Sequence, residues 1–169
     1  HTRGPAHLML IRRATGADAE AIAAIWNPWI RSTTVTFNAV EKTDAEVAAL
    51  IAERDRLGHA TFLADGAGCL GFASYAQFRG GVGYATCMEH SILLAPDARG
   101  RGAGRGLVTA VCDHARAAGG HQMIAGVSAE NPDGIAFHAA MGFQTIARIP
   151  EAGRKFGRFI DLVLMQKFL

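Results

Sequence analysis

The chain has 169 residues, half of them hydrophobic and 19% charged, with a formal net charge of +2. That length is one domain's worth and can bury roughly 70% of its unfolded surface, which excludes a disordered chain. The charge is too weak to argue for nucleic acid, and no apolar run approaches membrane-spanning length.

Residues 1–8 lack an initiator methionine and read as a cloning remnant, so one domain is expected over 9–169. Three cysteines, Cys69, Cys87 and Cys112, form an odd count without C-x-x-C spacing, and no signal peptide precedes them. Reduced thiols and a cytoplasmic protein are the expectation.

In chain order, Leu8 to Arg13 reads as a short edge strand. Thr15 or Asp18 then caps a helix whose apolar face is Ala21, Ile22, Ile25, Trp26 and Trp29, with Pro28 kinking or ending it. Arg31 to Val40 reads as a loop or short extended segment. Thr43-Asp44-Ala45-Glu46 resembles a capping box and opens a second helix that Gly58 stops. Strands are expected over 60–64, 69–79 and 84–95, separated by glycine-rich turns. A helix follows, with apolar residues at 107, 108, 111, 112 and 115, then a strand over 121–128 and a short helix over 135–141. Phe143 to Ile149 reads as a strand, 150–157 as a loop and 158–168 as a last strand. This order predicts an α+β fold, a mixed central sheet with helices on both faces.

The chemistry gathers at Arg99-Gly100-Arg101-Gly102-Ala103-Gly104-Arg105-Gly106, between the strand through Leu94 and the helix after it. Glycines let main-chain N–H groups converge, and a helix N-terminus adds partial positive charge, so a phosphate or diphosphate is the natural guest. Gly104 is followed by Arg105-Gly106 rather than Lys-Ser/Thr, which rules out a Walker A loop. The third glycine of the dinucleotide fingerprint would fall on Arg105. The pattern that fits is R-x-x-G-x-G, Arg99, Gly102 and Gly104. A basic surface turn and an RNA-contacting loop are the plainer readings.

This loop resembles the acetyl-CoA diphosphate loop of the GNAT N-acetyltransferases. Met88-Glu89-His90-Ser91-Ile92, residues 120–126, Phe137-His138-Ala139-Ala140-Met141-Gly142-Phe143 and Lys155-Phe156-Gly157-Arg158-Phe159-Ile160-Asp161 are similar to the phosphinothricin and methionine sulfoximine or sulfone N-acetyltransferases. The resemblance runs from about Ile11 to Leu169. It implies the GNAT fold, acetyl-CoA as co-substrate, a small amino acid analogue as acceptor and a homodimer. It also implies that the main chain of Ile92, Leu93 and Leu94 binds the pantetheine arm. The amides of Arg99, Gly100, Arg101, Gly102, Ala103 and Gly104 would take the diphosphate. Asn131 matches the family's cofactor-arm asparagine, or is a plain turn residue before Pro132.

An amine attacks a thioester only after losing the ammonium proton, so a base is needed. Glu89 is the candidate, the only acidic residue between Asp65 and Asp97. Alternation places it with Cys87, Ser91 and Leu93 and turns His90 to the other face, which argues against a metal site. Pairing with a lysine or arginine is its structural alternative. His138 stands where the resemblance implies a histidine, as acid, substrate contact or structural residue. On the substrate side, Arg79 could grip a carboxylate or tetrahedral head group, with Phe37, Tyr84 and Thr86 lining the rest and Lys155 reaching the site or a partner subunit. The loop Arg79-Gly80-Gly81-Val82-Gly83-Tyr84 is unusually glycine-rich, and Phe159 replaces a tryptophan common in the family. A non-catalytic acyl-CoA-binding module, or an acetyltransferase for another amine or a protein N-terminus, are the competing functions.

Overall fold

The computed structural model describes residues 8–169; the expected remnant, apart from Leu8, lies outside the described residues. A seven-stranded mixed sheet runs through the chain. Its strands are β1 (Leu10–Arg13), β2 (Thr61–Gly66), β3 (Gly68–Gln77), β4 (Cys87–Leu94), β5 (Gln122–Ser128), β6 (Gln144–Lys155) and β7 (Arg158–Phe168). The spatial order is β1-β2-β3-β4-β5-β7-β6, with β4 and β5 parallel and every other neighbour antiparallel.

Helices α1 (Ala19–Ser32) and α2 (Asp44–Arg56) cover one face, and α3 (Ala103–Ala117) and α4 (Pro132–Ala140) belong to the other. Leu107, Val108 and Val111 of α3 are fully buried against Tyr75 and Met123 in one cluster. Each such side chain contributes about 1.5–3 kcal/mol. Ile22, Ile25, Val47 and Ile51 pack on Leu63, Phe72 and Leu93 in the other cluster. Thr15 and Asp18 form a capping box ahead of α1, and the Thr43 side chain caps α2 through the Glu46 N–H.

Three sequence expectations need correction. Pro28 does not end α1, which runs on to Ser32. The proline removes one helical hydrogen bond, but Ile30 beyond it is 1% exposed and the Trp29 indole N–H donates to the Leu94 carbonyl at 3.0 Å. Residues 150–155 are not loop: β6 continues to Lys155 through an irregularity between Ile149 and Gly153. Pro150 is tolerated there because β6 is the outer strand and the ladder is already broken. Phe156 and Gly157, at φ +52° and +75°, then make the tight turn into β7. Lastly, Tyr84 is not in β4; residues 82–84 form a single 3₁₀ turn and the strand starts at Cys87.

Candidate active site

Strands β4 and β5 pair only from Cys87↔Gln122 to His90↔Ala125, then separate. Beyond that apex β4 continues to Leu94 and β5 to Ser128, leaving an open wedge in the middle of the sheet. The Phe78 N–H donates to the Cys87 carbonyl and the Ala95 N–H to the Leu70 carbonyl, both at 2.9 Å. This sets the alternation: odd-numbered residues of β4 turn their main-chain groups to β3, and even-numbered residues turn them toward β5. Of the three residues expected to bind the pantetheine arm, Ile92 and Leu94 therefore offer main-chain groups to the wedge. Leu93 is paired with Phe72 of β3 and contributes its side chain. The Leu94 carbonyl is already taken by Trp29.

The wedge opens onto the glycine loop. Gly100 and Gly102 sit at φ +77° and +80°, a conformation costly for any residue with a Cβ. Gly102 is the residue before α3 and provides no side-chain cap, so the first-turn N–H groups of this helix are left for a ligand. A Cβ on Gly104 would come within 3.1 Å of the Phe137 ring, so the glycine lets α3 approach α4. Arg99, Arg101 and Arg105 are exposed around the loop, and Arg99 lies 3.8 Å from Asp133. A cavity of about 530 Å³ joins these parts; Trp29, Leu94, Ala95, Arg99, Asn131, Phe137 and His138 are among its walls.

A second cavity of about 210 Å³ shares Val35, Ile92, Leu93, Asn131 and His138 with the first and reaches the wedge apex. Glu89 lines neither cavity and stands beside Gly126, which lines the smaller one. The carboxylate is half-buried, and its Oε2 lies 3.3 Å from where a Cβ on Gly126 would stand; Gly126 lines the cavity. Burial pushes the Glu89 carboxyl above the ordinary range, opposed by the positive charge of Arg54 on α2. Glu89 makes no ion pair among the described residues, so the structural alternative of a direct partner is absent there.

On the opposite face lies a pair that sequence reasoning only half identified. His138 is 6% exposed; its Nδ1 is 2.7 Å from the Gly134 carbonyl and its Nε2 3.1 Å from Nε2 of His90. His90 is 4% exposed, and its Nδ1 has no hydrogen-bond partner among the described residues. Burial pushes both imidazoles down, His90 to about 3 with the help of His138. The same alternation that separated His90 from Glu89 placed it on a buried face. Its contact with His138, 48 residues away, has no local signal.

The remaining expected residues divide into two groups. Phe37 lines the smaller cavity and packs on Gly153, where a Cβ would be 2.4 Å from the ring. Lys155 is buried and donates to the Thr36 carbonyl at 2.8 Å, so it anchors the segment carrying Phe37. Asn131 lines both cavities while its Oδ1 caps α4 through the Gly134 N–H at 3.0 Å. Arg79, Tyr84 and Thr86 are exposed beyond the N-terminal end of β4 and line neither cavity; Arg79 stacks over the Tyr84 ring at 5.4 Å. Among the described residues no group of three or more His, Cys, Asp or Glu could hold a metal ion.

Comparison with known proteins shows the family. The family model described as "Acetyltransferase (GNAT) family" matches residues 22–143. An L-methionine sulfoximine/L-methionine sulfone acetyltransferase from Pseudomonas aeruginosa is 38% identical over 92% of each chain. A phosphinothricin N-acetyltransferase from Alcaligenes faecalis is 36% identical over 93% of this chain and 81% of its own. A solved Salmonella typhimurium structure, described with its cofactor acetyl-CoA, superposes with a TM-score of 0.90 at 34% identity, covering 95% of this chain and 94% of that one. The chain belongs to the GNAT family of acetyltransferases.

Proposed function

We propose that this protein transfers an acetyl group from acetyl-CoA to the α-amino group of a small amino acid analogue such as L-methionine sulfoximine, L-methionine sulfone or L-phosphinothricin. The observation that carries this reading is the open β4/β5 wedge, with a helix N-terminus lacking a side-chain cap at its wide end and Glu89 at its apex. Acetyl-CoA fits these residues. The N–H and C=O groups of Ile92 and the N–H of Leu94 are free to pair with amides of the pantetheine arm as a neighbouring strand would. Of the amides from Arg99 to Gly104, that of Arg101 already donates to the Ala98 carbonyl at 3.2 Å; the others suit a diphosphate, and the Arg99, Arg101 and Arg105 side chains supply charge.

Acetyl-CoA supplies an acetyl group already activated as a thioester. Glu89 takes the ammonium proton directly or through a water, and its raised proton affinity brings it closer to that task at neutral pH. Phe37, Trp26 and Phe72 form an apolar wall for the substrate side chain. Arg79, Tyr84 and Thr86, past the apex, are assigned to its charged head and carboxylate. The outer strand β6 leaves Ile146 and Ile149 exposed at 49% and 41%, which supports a homodimer through this edge.

The test is thiol release from acetyl-CoA with a panel of amines. The sulfoximine, sulfone and phosphinothricin should give the highest kcat/KM. Preference for a peptide N-terminus, or binding of acetyl-CoA without turnover on any amine, would overturn the reading.

A further inference from the structure

Three hydroxyls stand in one row on the face of the sheet that α1 and α2 cover. Thr61 of β2 is level with Ser74 of β3, and Ser74 with Ser91 of β4. The neighbouring row on this face is Leu63, Phe72 and Leu93, apolar throughout and part of the core. Thr61 and Ser74 are buried and satisfy each other through a hydrogen bond of 2.8 Å between their hydroxyls. Ser91 ends the row. It is exposed and lines the smaller cavity with Trp26, Phe37 and Phe72. One step past the last β4/β5 pair, His90↔Ala125, the register sets Ser91 level with Gly126, where the wedge begins.

Glu89 reaches the same row from two residues earlier. Its own partner on β5 is Ile124, two residues before Gly126. Its Oε2 nevertheless lies 3.3 Å from where a Cβ on Gly126 would stand. The side chain therefore leans along the strand, over a rise of about 6.6 Å, toward the level of Ser91. Gly126, without a side chain, leaves the room for it. The carboxylate stands at the wall of the cavity and the Ser91 hydroxyl inside it, on the same face of the same strand. Ser128, the other serine in the cavity wall, is buried two residues beyond Gly126 and accepts from the Glu130 N–H at 3.2 Å.

We infer that Ser91 is a further catalytic residue, the hydroxyl through which the ammonium proton of the acceptor reaches Glu89. The inference rests on the acetyltransferase reading. A hydroxyl accepts one hydrogen bond while donating another. The Ser91 Oγ takes a proton from the nitrogen as its own hydrogen passes to the Glu89 carboxylate. One N–H bond breaks, the carboxylate becomes a carboxylic acid and the serine ends as it began. The nitrogen keeps the electron pair that attacks the thioester.

The test compares Ser91→Thr, which keeps the hydroxyl, with Ser91→Val, which has the same shape without it. Acetyl-CoA binding, by calorimetry, should be unchanged in both. Near neutral pH, with L-methionine sulfoximine as acceptor, Ser91→Val should lose about 100-fold in kcat with KM within about threefold, and Ser91→Thr should keep kcat within about threefold. The valine deficit should close as pH rises through the pKa of the acceptor's amino group, because an acceptor that arrives as free amine has no ammonium proton to relay. Ser91→Ala should follow the same profile, and it replaces the valine variant if that one melts early. A valine variant that keeps pace at every pH, a deficit that does not change with pH, or a threonine variant as slow as valine overturns the inference. If the unsubstituted enzyme releases no thiol with any amine, the acetyltransferase reading falls and the relay with it. If it turns over and the valine variant is unaffected, the relay alone falls.

Discussion

Glu89 is half-buried and makes no ion pair among the described residues. Its carboxyl is raised by burial, and Arg54 pulls it partway back. The base must be ionised, so kcat/KM should fall as pH drops through a value above the ordinary carboxylate range. Arg54→Met removes the opposing charge and should move that acidic limb to higher pH, measured as a pH–rate profile. Gly126→Val would set a Cβ 3.3 Å from Glu89 Oε2, with two further methyl groups beside it, and should lower kcat/KM at least tenfold while acetyl-CoA binding is retained. His90 makes a separate demand on stability. Its proton affinity falls from the free value of 6.5 to about 3 on folding, so the unfolded chain takes up a proton that the native state refuses. The stability attached to the neutral ring is full above pH 6.5 and declines as pH falls below it. The melting temperature should therefore drop from pH 7.5 to pH 5, less steeply in His90→Phe.

At the scale of elements, local signals were legible and pairings were not. The glycine loop could be read because positive φ, absent Cβ atoms and an uncapped helix start are properties of consecutive residues. Gly102→Ala places a Cβ at φ +80° and should cost about 1 kcal/mol of stability and weaken acetyl-CoA binding, by calorimetry. The extent of α1 escaped because Pro28 acts locally whereas Ile30 and the Trp29–Leu94 hydrogen bond act from across the sheet. The outer half of β6 escaped for a related reason: Pro150 and Gly153 suggest loop, but the Phe156-Gly157 turn and pairing with β7 carry the strand through its irregularity. Lys155 was named for its charge, and its ammonium is spent on the Thr36 carbonyl, holding the segment that carries Phe37.

The whole molecule supplies what no single element can. A parallel pair that opens after four register positions exists only because β3 holds one side of β4 and β7 holds one side of β5. The order of elements predicted the mixed sheet, but the splay is a relation between strands some 30 residues apart and left no pattern in either. The same sheet ends on β6, exposed along most of its length with Ile146 and Ile149 outward. Sedimentation should find a dimer, and Ile146→Lys with Ile149→Glu should yield monomers that keep their melting profile. The most direct measurement is a crystal structure with acetyl-CoA bound. The account predicts the diphosphate on the amides between Arg99 and Gly104, the pantetheine arm alongside Ile92 and Leu94, and the Glu89 carboxylate within one water of the acetyl group. A diphosphate seated elsewhere, or a Glu89 sealed off from the thioester by side chains, would contradict it.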